Sequence, residues 1–215
     1  MSDEADVPRP RLLRRTDAAE VARLHRALFP DTFFTGLGER FLRHFYEQVA
    51  EGSKTLCAVL EDPVSGHVVG FALGTMEPGF YARVVRTGPF TTAWALLAGL
   101  FRSRAVWKGM VRSLRLVRRL FHAVDVAGAL EEGIEPPDGP LVRYTYLAVH
   151  PDFRHRGNAQ RLVTHFAEQA FRRGAARVAG TIVASNVASQ NLHKRLGWNM
   201  RTLKDQTFYI WLDRN

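Results

Sequence analysis

The stretch Leu147-Ala-Val-His-Pro-Asp-Phe-Arg-His-Arg-Gly-Asn-Ala-Gln-Arg-Leu162 constrains the fold more than any other part of the chain. An apolar strand pattern stops at Pro151, and a basic, glycine-bearing turn opens at once into a helical pattern. The first N–H groups of a helix lack intrahelical acceptors and carry the positive end of its dipole, so a turn of this kind suits an anion such as a pyrophosphate. Gly157 lets the main chain approach such a group without a Cβ in the way, Ala159 is the next smallest choice, and Arg154, Arg156 and Arg161 add charge. By itself the stretch is equally compatible with an ordinary strand-to-helix loop carrying solvated arginines.

The rest of the pattern surrounds that turn with one mixed α/β domain. Met1–Pro10 has no apolar signal-peptide core and reads as a frayed tail, which leaves Arg11–Asn215 as the domain. Arg11–Arg15 is a short strand, and Asp17 with Glu20 predicts a capping box for a helix running to Pro30. A second helix is expected from Gly38 to Ala50, with Phe29, Phe33 and Phe34 plugging the core between the two. Thr55–Leu60 and His67–Gly74 flank Asp62-Pro-Val-Ser-Gly66, which predicts a hairpin. After an insertion at about 78–140, strand Leu141–Val149, helix Asn158–Arg173, strand Arg177–Val183, helix Ala188–Arg195 and a strand near Thr207–Leu212 follow. This order predicts a single central sheet flanked by helices, with a helical insertion between the third and fourth strands.

A second segment, Asn186-Val-Ala-Ser-Gln-Asn-Leu-His-Lys-Arg-Leu-Gly-Trp198, places an Asn after a strand, then a short helix, then Gly197 at its exit before an aromatic residue. The two segments in this order resemble the GNAT superfamily of acyl-CoA-dependent N-acyltransferases. Val149, Pro151, Arg154, Gly157 and Ala159 match that family's Val-x-Pro-x-x-Arg-x-x-Gly-x-Gly/Ala element. Asn186, Leu192 and Gly197 match its second element, with Ser189 in place of Ala and Trp198 in place of Phe. The resemblance implies acetyl-CoA as co-substrate. Main-chain groups of Leu147, Ala148 and Val149 would pair with the pantetheine arm, amides from His155 through Arg156, Gly157, Asn158 and Ala159 to Gln160 would hold the pyrophosphate, and Asn186 would fix the arm near its thioester. Asn186 could equally cap the following helix.

The family often places a Tyr proton donor where this chain has His193. His193 therefore carries two readings: the proton donor to the leaving thiolate, or a helix-face residue that hydrogen-bonds the thiol or solvent. Leu141–Val149 holds no carboxylate, so a strand-borne base does not transfer, and Glu77 is a weak substitute.

Composition narrows the partners. The 30 Lys and Arg against 21 Asp and Glu give a formal +9, and nine positive charges fall between Glu77 and Asp125, where no acidic residue occurs. Arg104, Lys108, Arg112, Arg115 and Arg119 recur at helical spacing opposite apolar residues, which predicts an amphipathic helix within Thr91–Val124. The expected acceptor is a small-molecule amine, anionic on charge grounds, with a protein amine as the alternative. Aromatics are not interleaved with the arginines, so nucleic acid is not expected; a membrane-surface contact or a homodimer contact of this helix stays open. The single Cys57 excludes an internal disulfide and suits a cytoplasmic location, and no His-Glu-x-x-His pair or Gly-x-Ser-x-Gly element points to a metal centre or a serine nucleophile. A non-catalytic CoA-binding module is the rival class.

Overall fold

The computed structural model describes residues 7–87, 133–203 and 207–214. Seven strands form one sheet in the order β1-β2-β3-β4-β5-β7-β6: β1 Arg9–Leu12, β2 Thr55–Glu61, β3 Val68–Thr75, β4 Leu141–Val149, β5 Arg177–Val183, β6 Asn199–Thr202 and β7 Thr207–Asp213. Neighbours run antiparallel except β4 and β5, which are parallel and joined by the crossover helix α5, Asn158–Arg172. The helices before it are α1 Ala18–Leu28, the single turn α2 Phe33–Gly36, α3 Glu39–Glu51 and α4 Phe80–Thr87; α6, Val187–Arg195, follows β5.

Both faces of the sheet are covered. Cys57, Val59, Phe71 and Leu73 pack with Val21, Phe41, Phe45 and Tyr46 of α1 and α3. Leu56, Ala58, Leu60 and Ala72 pack with Leu162, Val163 and Phe166 of α5 on the other face. The uninterrupted apolar run of β2 follows from this, since every second residue serves a different core. Phe34 is buried and Phe29 and Phe33 pack against the first core, as the aromatic spacing predicts. His25 of α1 is wholly buried there, its Nδ1 2.7 Å from the Tyr46 hydroxyl and its Nε2 3.4 Å from Thr32 Oγ1. The rings of Phe29, Phe71 and Tyr146 surround it, and burial pulls its pKa down to about 4.

Several sequence expectations are corrected. The expected tail ends early, because Arg9 and Pro10 already pair with Glu61 and Leu60, and the first strand closes at Leu12 rather than Arg15. Asp17 precedes α1 without capping it: its carboxylate accepts from the Arg11 guanidinium at 2.6 and 3.1 Å and, in a capping box of the preceding 3-10 turn Arg15–Asp17, from the Arg14 N–H at 2.8 Å. Glu20 turns instead to His67, at 2.7 Å. A charged partner within reach outcompetes a local cap. Strand β6, absent from the predicted order, is polar and largely exposed and exists only by pairing with β7. The predicted helix within Thr91–Val124 lies outside the described residues. Gly133–Pro140 leads into β4 without regular structure, and its Ile134 packs on Ala179, Leu203 and Tyr209.

Candidate active site

A wedge opens in the middle of the sheet. β4 and β5 pair only from Leu141↔Arg177 to Arg143↔Ala179, after which β4 stays with β3 as far as Val149↔Gly70 and β5 stays with β7 as far as Val183↔Thr207. The β5-facing edge of β4 is thus released along Leu147, Ala148 and Val149. At the apex, Gly180 of β5 lies so close to Tyr144 that a Cβ there would stand 2.6 Å from the Tyr144 carbonyl oxygen and 3.3 Å from its ring, so only glycine fits.

A β-bulge sits at the same level. The β3–β4 register skips between Leu73↔Tyr146 and Gly74↔Tyr144, leaving Thr145 unpaired. The Thr145 hydroxyl donates to the Leu73 carbonyl at 3.2 Å, and Tyr81 of α4 donates to Thr145 at 2.6 Å, which pins the extra residue.

The basic turn stands at the mouth of the wedge. Pro151–Phe153 makes a short 3-10 turn, and Arg154 folds back so that its Nε donates to the Val149 carbonyl at 2.9 Å. His155 and Gly157 both adopt left-handed backbone, at φ 61° and 73°, the second at the N-cap of α5. The main-chain N–H groups from His155 to Gln160 find no acceptor among the described residues, while Arg161 N is the first to reach one, on Gly157. His155, Arg156, Gly157 and Gln160 are exposed. Asn158 is buried and braces the turn, its Nδ2 donating to the Phe153 carbonyl at 2.8 Å and its Oδ1 accepting from Arg161. Arg161 thereby serves the loop's shape as well as its charge.

Helix α6 flanks the wedge from the β5 side. Asn186 caps it, Oδ1 accepting from Ser189 N at 3.1 Å, so the capping role is realised while the exposed Nδ2 keeps its donors. Gly197, at φ 75°, ends the helix: Gly197 N bonds the Lys194 carbonyl and Trp198 N bonds the His193 carbonyl, which folds Trp198 back onto His193. His193 is 1% exposed. Its Nδ1 lies 2.8 Å from the Ser189 carbonyl, which fixes the proton on Nδ1 and leaves Nε2 a bare lone pair. Burial pulls its pKa below the ordinary imidazole range, and the bond to Ser189 offsets only part of that, so the ring is neutral at pH 7.

Tyr144, which motif reasoning missed, packs against Phe166, His193 and Trp198 on this side of the apex. The isolated glycines Gly74 and Gly180, on the strands either side of it, were the available signal, since glycine inside a strand marks close approach. Glu77 is no free base: Arg83 holds both its oxygens, at 2.9 and 2.8 Å, and lowers its pKa. Burial pushes the Cys57 thiol up, which suits a packed, unreactive group. Among the described residues no His, Cys, Asp and Glu cluster could hold a metal ion, and no helix is long and apolar enough to cross a membrane.

Residues 100–198 match the family model of the acetyltransferase (GNAT) family. No curated protein matches the chain in sequence. Among solved structures, Arabidopsis thaliana NAA60 in complex with acetyl-CoA aligns at 14% identity and TM-score 0.56, over 96% of this chain and 98% of that one. Mosquito arylalkylamine N-acetyltransferase like 5b aligns at 17% identity and TM-score 0.58, over 96% and 100%. yncA from Salmonella typhimurium, solved with its cofactor acetyl-CoA, aligns at 16% identity and TM-score 0.55, over 97% and 94%. At such identities the likeness speaks for the fold. The seven-stranded sheet that opens between its two parallel strands beside a basic turn is the part of this fold that holds the candidate site. The match to the acetyltransferase (GNAT) family model thus covers just under half of the chain, and the solved acetyltransferase structures extend the likeness in fold to nearly all of it.

Proposed function

We propose that the chain transfers an acetyl group from acetyl-CoA to a primary amine by direct attack, and that the acceptor is a small anionic molecule. The observation that carries the first part is the row of N–H groups from His155 to Gln160 without protein acceptors, at the mouth of the wedge. A pyrophosphate supplies the acceptors they lack. The released edge at Leu147, Ala148 and Val149 offers main-chain groups to an extended pantetheine arm as an added strand would. Arg154 and Arg156 contribute charge, and Asn186 Nδ2 reaches toward the arm.

Attack needs a neutral amine, and an alkylamine of pKa ~10.4 is more than three units from that at pH 7, a cost of about 4–5 kcal/mol. Water in the open wedge takes the amine's proton, and a main-chain N–H near Val149 faces the charge that develops on the carbonyl oxygen. The leaving sulfur takes up a proton, which balances the one lost by nitrogen. His193 stands beside that sulfur. Its neutral, Nδ1-protonated form favours the hydrogen-bonding reading over the imidazolium donor.

For the acceptor, the nine positive charges between Glu77 and Asp125 support an anion. Solved relatives of this fold take different acceptors: one is an aminoglycoside N-acetyltransferase and another is the NatC complex bound to a Gag peptide. A protein amine is therefore the second reading. We place the enzyme in the cytoplasm as one domain, with the insertion at about 78–140 on its acceptor side and a homodimer as a further option. Thiol release from acetyl-CoA, screened over anionic, neutral and peptidic amines with mass analysis of products, tests the proposal. Turnover confined to peptides replaces the small-molecule acceptor, and binding of CoA without turnover on any amine leaves a non-catalytic CoA-binding module.

A further inference from the structure

The two faces of the sheet are furnished differently around the wedge. On one, α5 packs across the strands and carries the basic turn proposed above to hold the pyrophosphate. On the other, α1, α3 and α4 cover β2, β3 and the Tyr146–Ala148 end of β4. The β5 and β7 half of that face carries a small cluster of Ile134, Ala179, Leu203 and Tyr209, which no helix residue joins among the described residues. An amine that attacks the thioester directly has to reach it from the face that the cofactor leaves open.

Arg143 stands on this second face. Strand alternation sets it with Leu141, which joins the cluster, and opposite Val142 and Tyr144, which pack on the α5 side. It is half-buried on a central strand, paired with Thr75 of β3 on one side and Ala179 of β5 on the other. A cation drawn partly out of water loses solvation that a partner ordinarily restores. Yet among the described residues the Arg143 guanidinium has no hydrogen bond or ion pair, and none of its nitrogens is a sealed one, so the head meets open space. The carboxylates that the end of β3 and β7 bring to this side are engaged elsewhere, Glu77 by Arg83 and Asp213 by Arg177. Burial pushes the Tyr81 and Tyr209 phenols up and the Arg143 charge draws both back, so its head lies within electrostatic reach of α4 and of β7. Beside it the sheet is lined by small side chains, Ala179 and then the exposed Thr181.

We propose that the acceptor amine carries a carboxylate and that Arg143 binds it, two N–H groups of the guanidinium donating to its two oxygens. This rests on the acetyl-transfer reading above and names the anionic group of its acceptor. Arg83 and Arg177 already hold protein carboxylates, so the described residues offer one positive charge here, which matches a carboxylate and falls short of a phosphate. Arg143 lies four residues before Leu147, where the released edge of β4 runs. That stretch of strand spans roughly 10–13 Å, only part of which an arginine side chain covers, so amine and carboxylate are separated by several bonds, as in an ω-amino acid.

The test measures thiol release from acetyl-CoA with matched acceptors, 4-aminobutyrate and 6-aminohexanoate against their carboxamides, which keep the length and the amine and remove the charge. In the wild type kcat/KM should favour the carboxylate by about tenfold or more in at least one pair. Arg143→Gln should bring that ratio close to one, chiefly through KM, while CoA affinity by calorimetry stays within about twofold. Arg143→Lys keeps the charge and loses the fork, so its ratio should fall between the two. Neither variant should melt below the wild type, because no protein partner is lost; a lowered melting temperature is the mark of a structural role. Equal use of carboxylate and carboxamide by the wild type, or a preference that survives in folded Arg143→Gln, overturns the assignment and leaves acetyl transfer standing. Turnover of other amines but of neither carboxylate overturns it as well. No turnover of any amine removes the acetyl-transfer reading and this inference with it.

Discussion

Tyr144 and Tyr146 stand two residues apart on β4 and pack against opposite faces of the sheet. In a regular strand they would share a face. The bulge at Thr145 inserts one residue and reverses the alternation, so Tyr144 joins Phe166 and Trp198 while Tyr146 lies against His25 and Phe29. One strand therefore contributes an aromatic ring to each face of the sheet at the level where the wedge opens.

The left-handed turn at Gly157 gives the first prediction. A Cβ there would meet only Arg161 at 3.8 Å, so the protein leaves room, and the cost of substitution lies in φ 73° and in the shoulder thrust toward the anion. Gly157→Val should weaken CoA binding at least tenfold, about 1.4 kcal/mol. Calorimetry on folded variant protein checks this, and an unchanged affinity would remove the pyrophosphate from this turn.

Asn186 has two ends with separate duties. Asn186→Asp keeps an oxygen for Ser189 N and removes the amide donors, whereas Asn186→Ala removes both. The Ala variant should lose about 1 kcal/mol of stability in urea unfolding and the Asp variant little. Both should bind CoA more weakly; if the Asp variant binds as the wild type does, Asn186 is a helix cap and no more.

His193 should show its neutrality in the pH profile. Since its folded pKa lies below 6.5, the imidazolium is scarce at pH 7, and turnover should not decline between pH 7 and 8. His193→Phe, which then removes a hydrogen bond and no proton donor, should reduce turnover by about tenfold at most, whereas a loss of roughly 10²-fold or more would speak for acid–base work. A kcat that instead falls with rising pH in wild type, and loses that dependence in the variant, would show a cationic proton donor.

Buried His25 makes stability depend on pH. The folded ring takes a proton only near pH 4, while the unfolded ring does so near 6.5, so the unfolded state binds more protons in between and stability falls as pH is lowered through that window. Between pH 7 and 5 the loss from this residue is about 2 kcal/mol at ~1.36 kcal/mol per unit. His25→Phe should flatten the urea-unfolding profile over this range. A residual slope is expected, because burial lowers His165 and His193 in the same direction.

What the sequence alone determined is what depends on neighbours along the chain. The hairpin at Asp62–Gly66, the helices α1, α3 and α5, the left-handed Gly157 and the Gly197 exit all follow from turn chemistry and periodicity, which act over a few residues. The basic turn that we propose to hold the pyrophosphate belongs to this group, since one continuous segment carries it. Tertiary structure decided the rest. Asp17 abandoned its local cap for Arg11, polar β6 became a strand by pairing with β7, and Arg83 took Glu77 out of play. The meeting of Tyr144 and His193 was equally out of reach, because it needs the bulge at Thr145, the opening of β4 from β5 and the bare backbone at Gly180 together. Each of these is a relation between strands far apart in the chain, and residue order limits such relations without fixing them, since register is settled only when both faces of the sheet are buried at once.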